Sequence, residues 1–493
     1  MKKHFFLTAI ILLGGITYAN FFSSEKMGLN TLLFAGALLT SIFGFQPELR
    51  KSSGALLAGT GVLLTALFIV WHNSGFAKFM HWISLLLLIG FAQRRELRFI
   101  FYALLLAITT LLSIPRQWLR ELRVVILPAA FQNLPFYKTP LLLLPLFCVA
   151  VFGTIYYQAN QKWAELVDRF WTSVQHIFQW DISAAEMTCF FIGFWLMGAG
   201  LLRSNFGGLF TRSEAKQADD LNRQRVPFAE RWWPQRHLLS LKNEYWVALL
   251  TIGLLNMLLF IVNLTDLRFV WVETEMTSAY ELSQYVHGGT YLLILAILLS
   301  AGILLYYFRG NQNFYSRNVL LRELAYVWIA QNAVLALSVG MRNYRYLSQY
   351  GMAYKRIGVF IFLILVLAGL FLLYLKIKDK KTAFFLLRYN AWIFYLVLTF
   401  FSAIDWDVLI TRHNIRQATT GTLDAHFLID DVGDRNLLIL LENEALIKTL
   451  ASKPSGIERK IKQKKLTFLS RQDTYSWRSW NWADARIKKQ LLN

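Results

Sequence analysis

The chain is short of the residues from which soluble catalysts are built. Only 16% of its 493 residues are charged and 56% are hydrophobic, where an average soluble protein carries about a quarter charged residues. That imbalance excludes a soluble enzyme and leaves a chain that lives in a bilayer. There are two cysteines, Cys148 and Cys189, both inside apolar runs. A thiol there behaves as a small hydrophobe, so neither a disulfide framework nor a thiolate metal site is expected. The glycine pairs Gly14-Gly15 and Gly207-Gly208 have no GK[ST] sequence and follow no strand, which excludes a nucleotide-hydrolysing pump in this chain. No run of residues carries the ligand set of a known cofactor, and none is expected. Asp430, Asp431 and Asp434 lack the spacing of a calcium loop, so no metal is expected either.

Acidic residues are also scarce, 30 against 51 basic ones for a net charge of +21. In a soluble protein this excess would suggest nucleic acid. Here the basic residues sit in short loops between apolar stretches, the pattern of membrane orientation signals, and no nucleic-acid partner is expected.

What the chain has in abundance is apolar runs of roughly 17–25 residues, long enough to cross a hydrocarbon core as helices. They fall at Phe5 to Tyr18, Gly28 to Phe45, Ser53 to Trp71, Phe76 to Phe91, Phe99 to Ile114, Thr139 to Tyr157, Ala184 to Leu202, Tyr245 to Leu264, Tyr285 to Tyr307, Val319 to Gly340, Ile357 to Leu375 and Ala383 to Ile404. The first, after Met1-Lys2-Lys3, reads as a retained helix rather than a cleaved signal. Lys2 and Lys3, then Arg50 and Lys51, then Arg94, Arg95 and Arg98 fall on one side, and the intervening loops carry only Lys26 and Lys78. The amino terminus is therefore expected in the cytoplasm. The basic segments Arg203 to Lys242 and Lys376 to Lys381 belong on that side, and the acidic segment Thr265 to Ser283 on the other. Reconciling them needs one hidden crossing between Pro115 and Asp181. We assign it to Trp118 to Phe136, and read Gln161 to Trp180, amphipathic with Trp163, Leu166, Phe170, Trp171 and Ile177, as a helix lying in the interface. The count becomes about thirteen, with the carboxy terminus outside.

This frame brings a set of polar residues to the outer ends of the last four spans. They are His287, then Arg342, Arg345 and Tyr346, then Arg356, then Asp405 and Asp407 with His413 and Asn414. The basic loop Met341 to Arg356 stands on the side where basic loops are rare, and carboxylates such as Asp405, Asp407 and Glu281 would neutralise it. Such a cluster can be a set of ion pairs that locks a four-helix unit. It can be a pocket in which arginines hold an anionic headgroup, glycan or small solute. As a catalytic site it would use His287 or His413 as general base, oriented by Asp405 or Asp407. Asn256, Asn263, Gln331 and Asn332 are amides at bilayer depth, where interhelical packing is the default role and a transport path the minority one.

The motifs of the carboxy-terminal half carry a family resemblance. His287-Gly288-Gly289, the run from Glu323 to Asn332, Arg342 to Tyr346 with Tyr350-Gly351-Met352 and Arg356, Asp405-Trp406-Asp407 with Asn414, and Leu423-Asp424 resemble the bacterial multi-pass membrane proteins known as domains of unknown function 4153 and 4173. Trp477-Arg478-Ser479-Trp480-Asn481 resembles the closing motif of that family. The resemblance covers Tyr245 to Trp482, the amino-terminal half being similar only in its hydrophobicity. It implies a polytopic membrane protein without an assigned reaction, and supplies no catalytic residue.

The expected organisation is an all-α polytopic bundle of about 12–13 transmembrane helices with a small helical region outside the membrane. It comprises an amino-terminal bundle (1–202), a basic cytoplasmic loop (203–244), a second transmembrane unit (245–404) and an extramembrane helical tail (405–493). The basic run Arg459 to Lys465 together with Trp477, Trp480 and Trp482 suits anionic lipid headgroups, or equally a solvated surface. The expected role is non-enzymatic, namely binding, transport or envelope support in the inner membrane of a bacterium. The alternative is an enzyme acting on a lipid-linked or envelope substrate. A transporter would show two related halves, and no internal repeat is visible.

Overall fold

Hydrocarbon supplies no hydrogen-bond partners, so a chain this apolar must satisfy its backbone internally, and an α-helix does so within one segment. The computed structural model describes residues 2–126, 149, 153, 157, 160–178, 183–204, 206–223, 241–268 and 279–492, apart from the side chains of 2–3, 123–126, 174–178 and 279–291. These residues form helices joined by turns, and nine of the described helices are long and apolar enough to cross a membrane. The protein is an all-α polytopic helical bundle. By contacts the chain divides into two units, Met1–Glu214 with Leu466–Asn493, and Ala215–Lys465. The expected tail 405–493 is therefore shared between the two units rather than forming one body.

The first unit contains α1 (Lys2–Phe22), α2 (Leu29–Phe45), α3 (Ser53–His72), α4 (Gly75–Gln93), α5 (Ile100–Ile126), α6 (Gln161–Phe178), α7 (Ala184–Leu201) and α8 (Gly207–Ala215, its last residue in the other unit). Serine side chains start three of these helices, Ser52 accepting from the Ala55 amide at 3.4 Å, Ser74 from the Ala77 amide at 3.0 Å and Ser183 from the Glu186 amide at 3.2 Å. Each satisfies one of the amides that a helix start leaves without a partner. Helices α1 and α7 pack so closely that a Cβ on Gly193 would overlap Tyr18, and one on Gly90 of α4 would overlap the backbone carbonyl of Ala103 in α5. Small residues of this kind let membrane helices approach backbone to backbone.

Two glutamines close the end of α7. Gln46 donates to the Gly200 carbonyl at 3.1 Å, while Gln93 donates to the carbonyls of Ala199 at 2.7 Å and Leu202 at 3.0 Å and accepts from the Ser204 amide at 2.6 Å. A buried helix end with open carbonyls would be costly, and these amides remove the cost. They also gather the turns after α2, α4 and α7 at one end of the unit, with Arg203 paired to Glu48 and the Arg98 amide held by Glu214 at 3.1 Å.

At the other end, Asn73 donates to the Met27 carbonyl at 2.6 Å and joins the α1–α2 and α3–α4 turns. The chain terminus docks onto the same place. Leu29 donates to the Trp480 carbonyl at 2.9 Å, Lys26 to Ser479 Oγ at 2.9 Å, and Ser476 to the Glu25 carboxylate at 3.1 Å. Lys26 is paired with Asp484 of helix α18 (Trp482–Leu492), and the Trp71 and Trp482 rings lie 5.4 Å apart. A Cβ on Gly28 would meet the Ser479 backbone, so the strap fits only over glycine.

Two expectations change in this unit. The span expected to stop before Pro115 runs through it to Ile126 as α5, and Glu121 of that extension meets His4 at 2.5 Å. Trp118 to Ile126 thus belongs to α5, and the remainder of the expected crossing to Phe136 lies outside the described residues, as does almost all of the span Thr139 to Tyr157. His81 is buried against Thr65 at 3.0 Å. Helix α6 forms where amphipathicity put it, and Trp163, Leu166 and Phe170 are exposed along one stripe.

The second unit holds α9 (Leu241–Asp266), α10 (Ala279–Tyr307), α11 (Val319–Tyr350), α12 (Tyr354–Lys378) and α13 (Ala383–Phe401). Its apolar core includes Ala248, Ile252, Ala325, Val339 and Leu373. The bilayer-depth amides tie α9 to α11. Asn256 donates to the Leu324 carbonyl at 3.0 Å and accepts from Gln331 at 2.9 Å, and Asn263 donates to the Gln331 carbonyl at 3.0 Å. Asn332 donates within its own helix to Trp328 at 2.8 Å. At one end of this unit the stretch 218–221 clips onto 380–388, through the Leu221 amide to Lys380 at 2.9 Å, Lys381 to Asp220 at 2.5 Å and Arg388 to Asp219 at 2.6 Å. At the other end, past α13, the chain builds a polar cap of α14 (Trp406–Gln417), α15 (Leu437–Glu442), α16 (Glu444–Leu450) and the start of α17 (Ile457–Asp473).

Two outcomes follow from the first unit. Gly90→Val should lower stability in detergent by about 1–3 kcal/mol through overpacking, measured as a thermal midpoint, whereas Gly36→Ala, whose Cβ meets nothing within 4 Å, should leave it unchanged. Burial opposes the charge on Asp484, but Lys26, Asn481 and Gln472 outweigh it and hold the carboxyl below its ordinary value of 3.8. A depressed carboxylate stabilises above its unfolded value and loses that contribution as pH falls through the folded one. The strap should therefore become protease-sensitive only below pH 3.8, and Asp484→Asn should make it sensitive at neutral pH.

Candidate functional site

The cap begins at a helix start. Asp405 precedes α14 and accepts from the Val408 amide at 3.5 Å, and Asp407 follows in the first turn of the helix. Asp407 is only 3% exposed. Its partners come from outside the expected cluster, Arg435 at 2.5 Å and the Tyr354 hydroxyl, while Arg435 also donates to Asp405 at 2.9 Å. Burial works against the Arg435 charge, and Asp407 and Asp405 overcome it, holding the guanidinium above its ordinary value. One forked donor thus serves two carboxylates, the geometry that arginine provides and lysine does not.

The expected arginine partners are different again. Arg342 pairs with Asp266 at the end of α9, both side chains 7% exposed, and the side chain of Glu281 lies outside the described residues. Arg356 donates to the backbone carbonyl of Tyr350 at 2.8 Å and to that of Gly351, and its guanidinium lies 4.4 Å from the centre of the Tyr346 ring. Arg345 is half-buried on α11, where its carbonyl accepts from Ser348 at 2.8 Å. Sequence position brought these residues to one end of the unit, and the folded chain sorts them into three separate groups.

Asn414 completes the third group. It pairs in both directions with the backbone of Met352, accepting from the amide at 2.5 Å and donating to the carbonyl at 2.9 Å. Gly351 stands at φ +75°, and a Cβ there would lie 2.7 Å from Asn414 Oδ1, so both backbone conformation and space demand glycine. The turn 350–353 is thereby pinned to α14. Beside it opens a cleft of about 180 Å³ lined by Ser348, Met352, Arg356, Gln417, Asp424 and Phe427 among others.

Among the described residues, Asp405 and Asp407 meet Arg435 and Tyr354 rather than an imidazole. His413 is half-buried, and its Nε2 is enclosed without a hydrogen bond among the described residues. The side chain of His287 lies outside the described residues. Among the described residues no three His, Cys, Asp or Glu side chains converge as metal ligands. Asp430 is bound by Lys460 at 2.5 Å.

Sequence reading missed the residues that hold the cap together. Asn436 is fully buried and donates to Thr411 at 3.0 Å and to the Leu428 carbonyl at 2.7 Å. Lys464 reaches the carbonyls of Ile429 at 2.9 Å and Val432 at 2.7 Å and the Asn436 side chain at 3.1 Å. Two lysines of the basic run 459–465, Lys460 and Lys464, therefore face the cap, while Arg459 and Lys462 are exposed. Arg435, two residues after Gly433 in a hydrophilic stretch, gave no signal beyond its charge.

A family model described as "Domain of unknown function (DUF4153)" matches residues 8–443. It spans both transmembrane regions, so the likeness is not confined to the carboxy-terminal half, and it stops short of the 477–481 segment that resembled a closing motif. No curated protein and no solved structure matches.

Removing the shared donor tests the cap. Arg435→Met leaves two acidic groups, one deeply buried, without their cation and should destabilise the cap by about 3–5 kcal/mol, read as faster proteolysis within 406–465. Adding Asp405→Asn and Asp407→Asn should recover part of that loss.

Proposed function

The chain belongs to the DUF4153 family, and on that premise we propose that this multi-pass membrane protein is non-enzymatic, carrying a folded polar cap on the outer face of a bacterial inner membrane for ligand binding and envelope support. One observation carries the reading: arginines and aspartates of the expected polar cluster are closed into ion pairs, helix caps and backbone hydrogen bonds. Groups held this way build a rigid surface. The function left to that surface is recognition, and the cleft beside Arg356 and Asp424 suits a small polar group or the end of a larger envelope molecule. Its size argues against a bulky substrate, since drug-sized ligands occupy pockets of about 300 Å³ or more.

The orientation is supported by how charge divides between the ends of each unit. In the first, the turns bearing Arg50, Lys51, Arg94, Arg95, Arg98 and Arg203 gather at one end through Gln46, Gln93 and Glu48, and the terminal strap lies at the other. In the second, Lys381 and Arg388 lie at the end away from the cap. Basic loops face the cytoplasm, so cap and strap face outward. The exposed Trp477, Trp480 and Trp482 then suit the outer headgroup layer, and the apolar stripe of α6 suits the interface.

A single cysteine at the exposed Thr420, in a chain lacking Cys148 and Cys189, tests this in intact cells. A thiol reagent that cannot cross the inner membrane should label it once the outer layer is permeable. Labelling only after lysis would put the cap in the cytoplasm and end the proposal.

A further inference from the structure

The first unit has a charged cleft of its own at the end away from the strap. It measures about 290 Å³ and is lined by Glu48, Gln93, Arg94, Arg95, Glu96 and Arg203. Three turns contribute, those after α2, α4 and α7, and Gln93 and Gln46 tie the other two to the end of α7. The charged lining therefore stands on a rigid floor at the ends of membrane-crossing helices, the depth of a lipid headgroup.

The arginines there are unequally occupied. Arg203 is paired with Glu48, and Arg95 donates to Glu96 at 3.1 Å, but these four side chains are 37–59% exposed, so water and ions compete for them. Arg94 differs. Its stem crosses the face of Gly207, where a Cβ would come within 2.5 Å of Nε, and that Nε is enclosed without a hydrogen bond among the described residues. No hydrogen bond from Arg94 to another described residue closes its planar fork, although Glu96 lies within electrostatic reach. A held guanidinium flanked by two further arginines is disposed to take an anion with several oxygens, and phosphate matches the fork bidentately.

We propose that this cleft binds the phosphate of an anionic phospholipid headgroup, with Arg94 as the principal donor and Arg95 and Arg203 as flanking charges. A basic pocket between helix ends is a setting in which such headgroups are recognised, and on the orientation proposed above this one faces the cytoplasmic leaflet. The site is separate from the cap, and the proposal stands whether or not the cap binds anything.

The test uses full-length protein purified in detergent, incubated with phosphatidylglycerol or phosphatidylcholine and weighed by native mass spectrometry. The wild-type chain should retain phosphatidylglycerol selectively, and Arg94→Gln with Arg95→Gln should reduce that retention at least tenfold. Arg94→Lys, which keeps the charge but not the fork, should fall between them and covers the case in which the double variant misfolds. Arg459→Gln with Lys462→Gln, exposed basic residues of the second unit, should leave retention unchanged. Equal retention of the two lipids, equal retention by wild type and the Arg94 variants, or the same loss from the 459/462 variant would overturn the proposal. Complete displacement by millimolar inorganic phosphate, with no preference for lipid, would assign the cleft to free phosphate and likewise overturn it.

Discussion

The polar groups inside the membrane-spanning helices work under one constraint: hydrocarbon has no water to satisfy them, so partners are found within the chain. The amides of Asn256, Asn263 and Gln331 meet it by crossing from α9 to α11, and Gln46 and Gln93 meet it by closing the carbonyls at the end of α7. Each bond is local, yet each fixes the distance between two helices. The positions of the charged turns at the ends of the units follow from those bonds.

The same constraint governs the charges. Asp407 and Arg342 are both buried, and each has an oppositely charged partner, Arg435 in one case and Asp266 in the other. Burying an ion pair contributes little to stability, but breaking one is costly, so such pairs hold geometry in place. In the cap they hold α14 against the segment around Gly433. At the Tyr350–Met352 turn the work is done by Asn414 and Arg356 through backbone carbonyls and amides. The polar end of the second unit is thus a folded surface with a small cleft.

Sequence reading succeeded where one physical variable dominated. Hydropathy alone located the described spans, because a crossing helix must be apolar along its whole length. The amphipathic stripe of Trp163, Leu166 and Phe170 forecast α6 for the same reason. Span boundaries put Arg342, Arg356, Asp405, Asp407 and Asn414 at helix ends. They do not name the partners Asp266 and Arg435, which are distant in sequence, because nothing in composition says which carboxylate an arginine will meet.

By itself the sequence determined that the protein is an all-α chain crossing a membrane many times, and it separated basic turns from acidic ones. Those properties are sums over neighbouring residues. Tertiary structure alone decided which groups satisfy one another across gaps of many residues: Lys26 with Asp484, Gln93 with the end of α7, Arg435 with both aspartates. It also decided that the chain terminus packs with the first unit while the cap packs with the second. Pairing of this kind depends on packing distance and on the demand that no buried polar group be left open, and neither can be read one segment at a time.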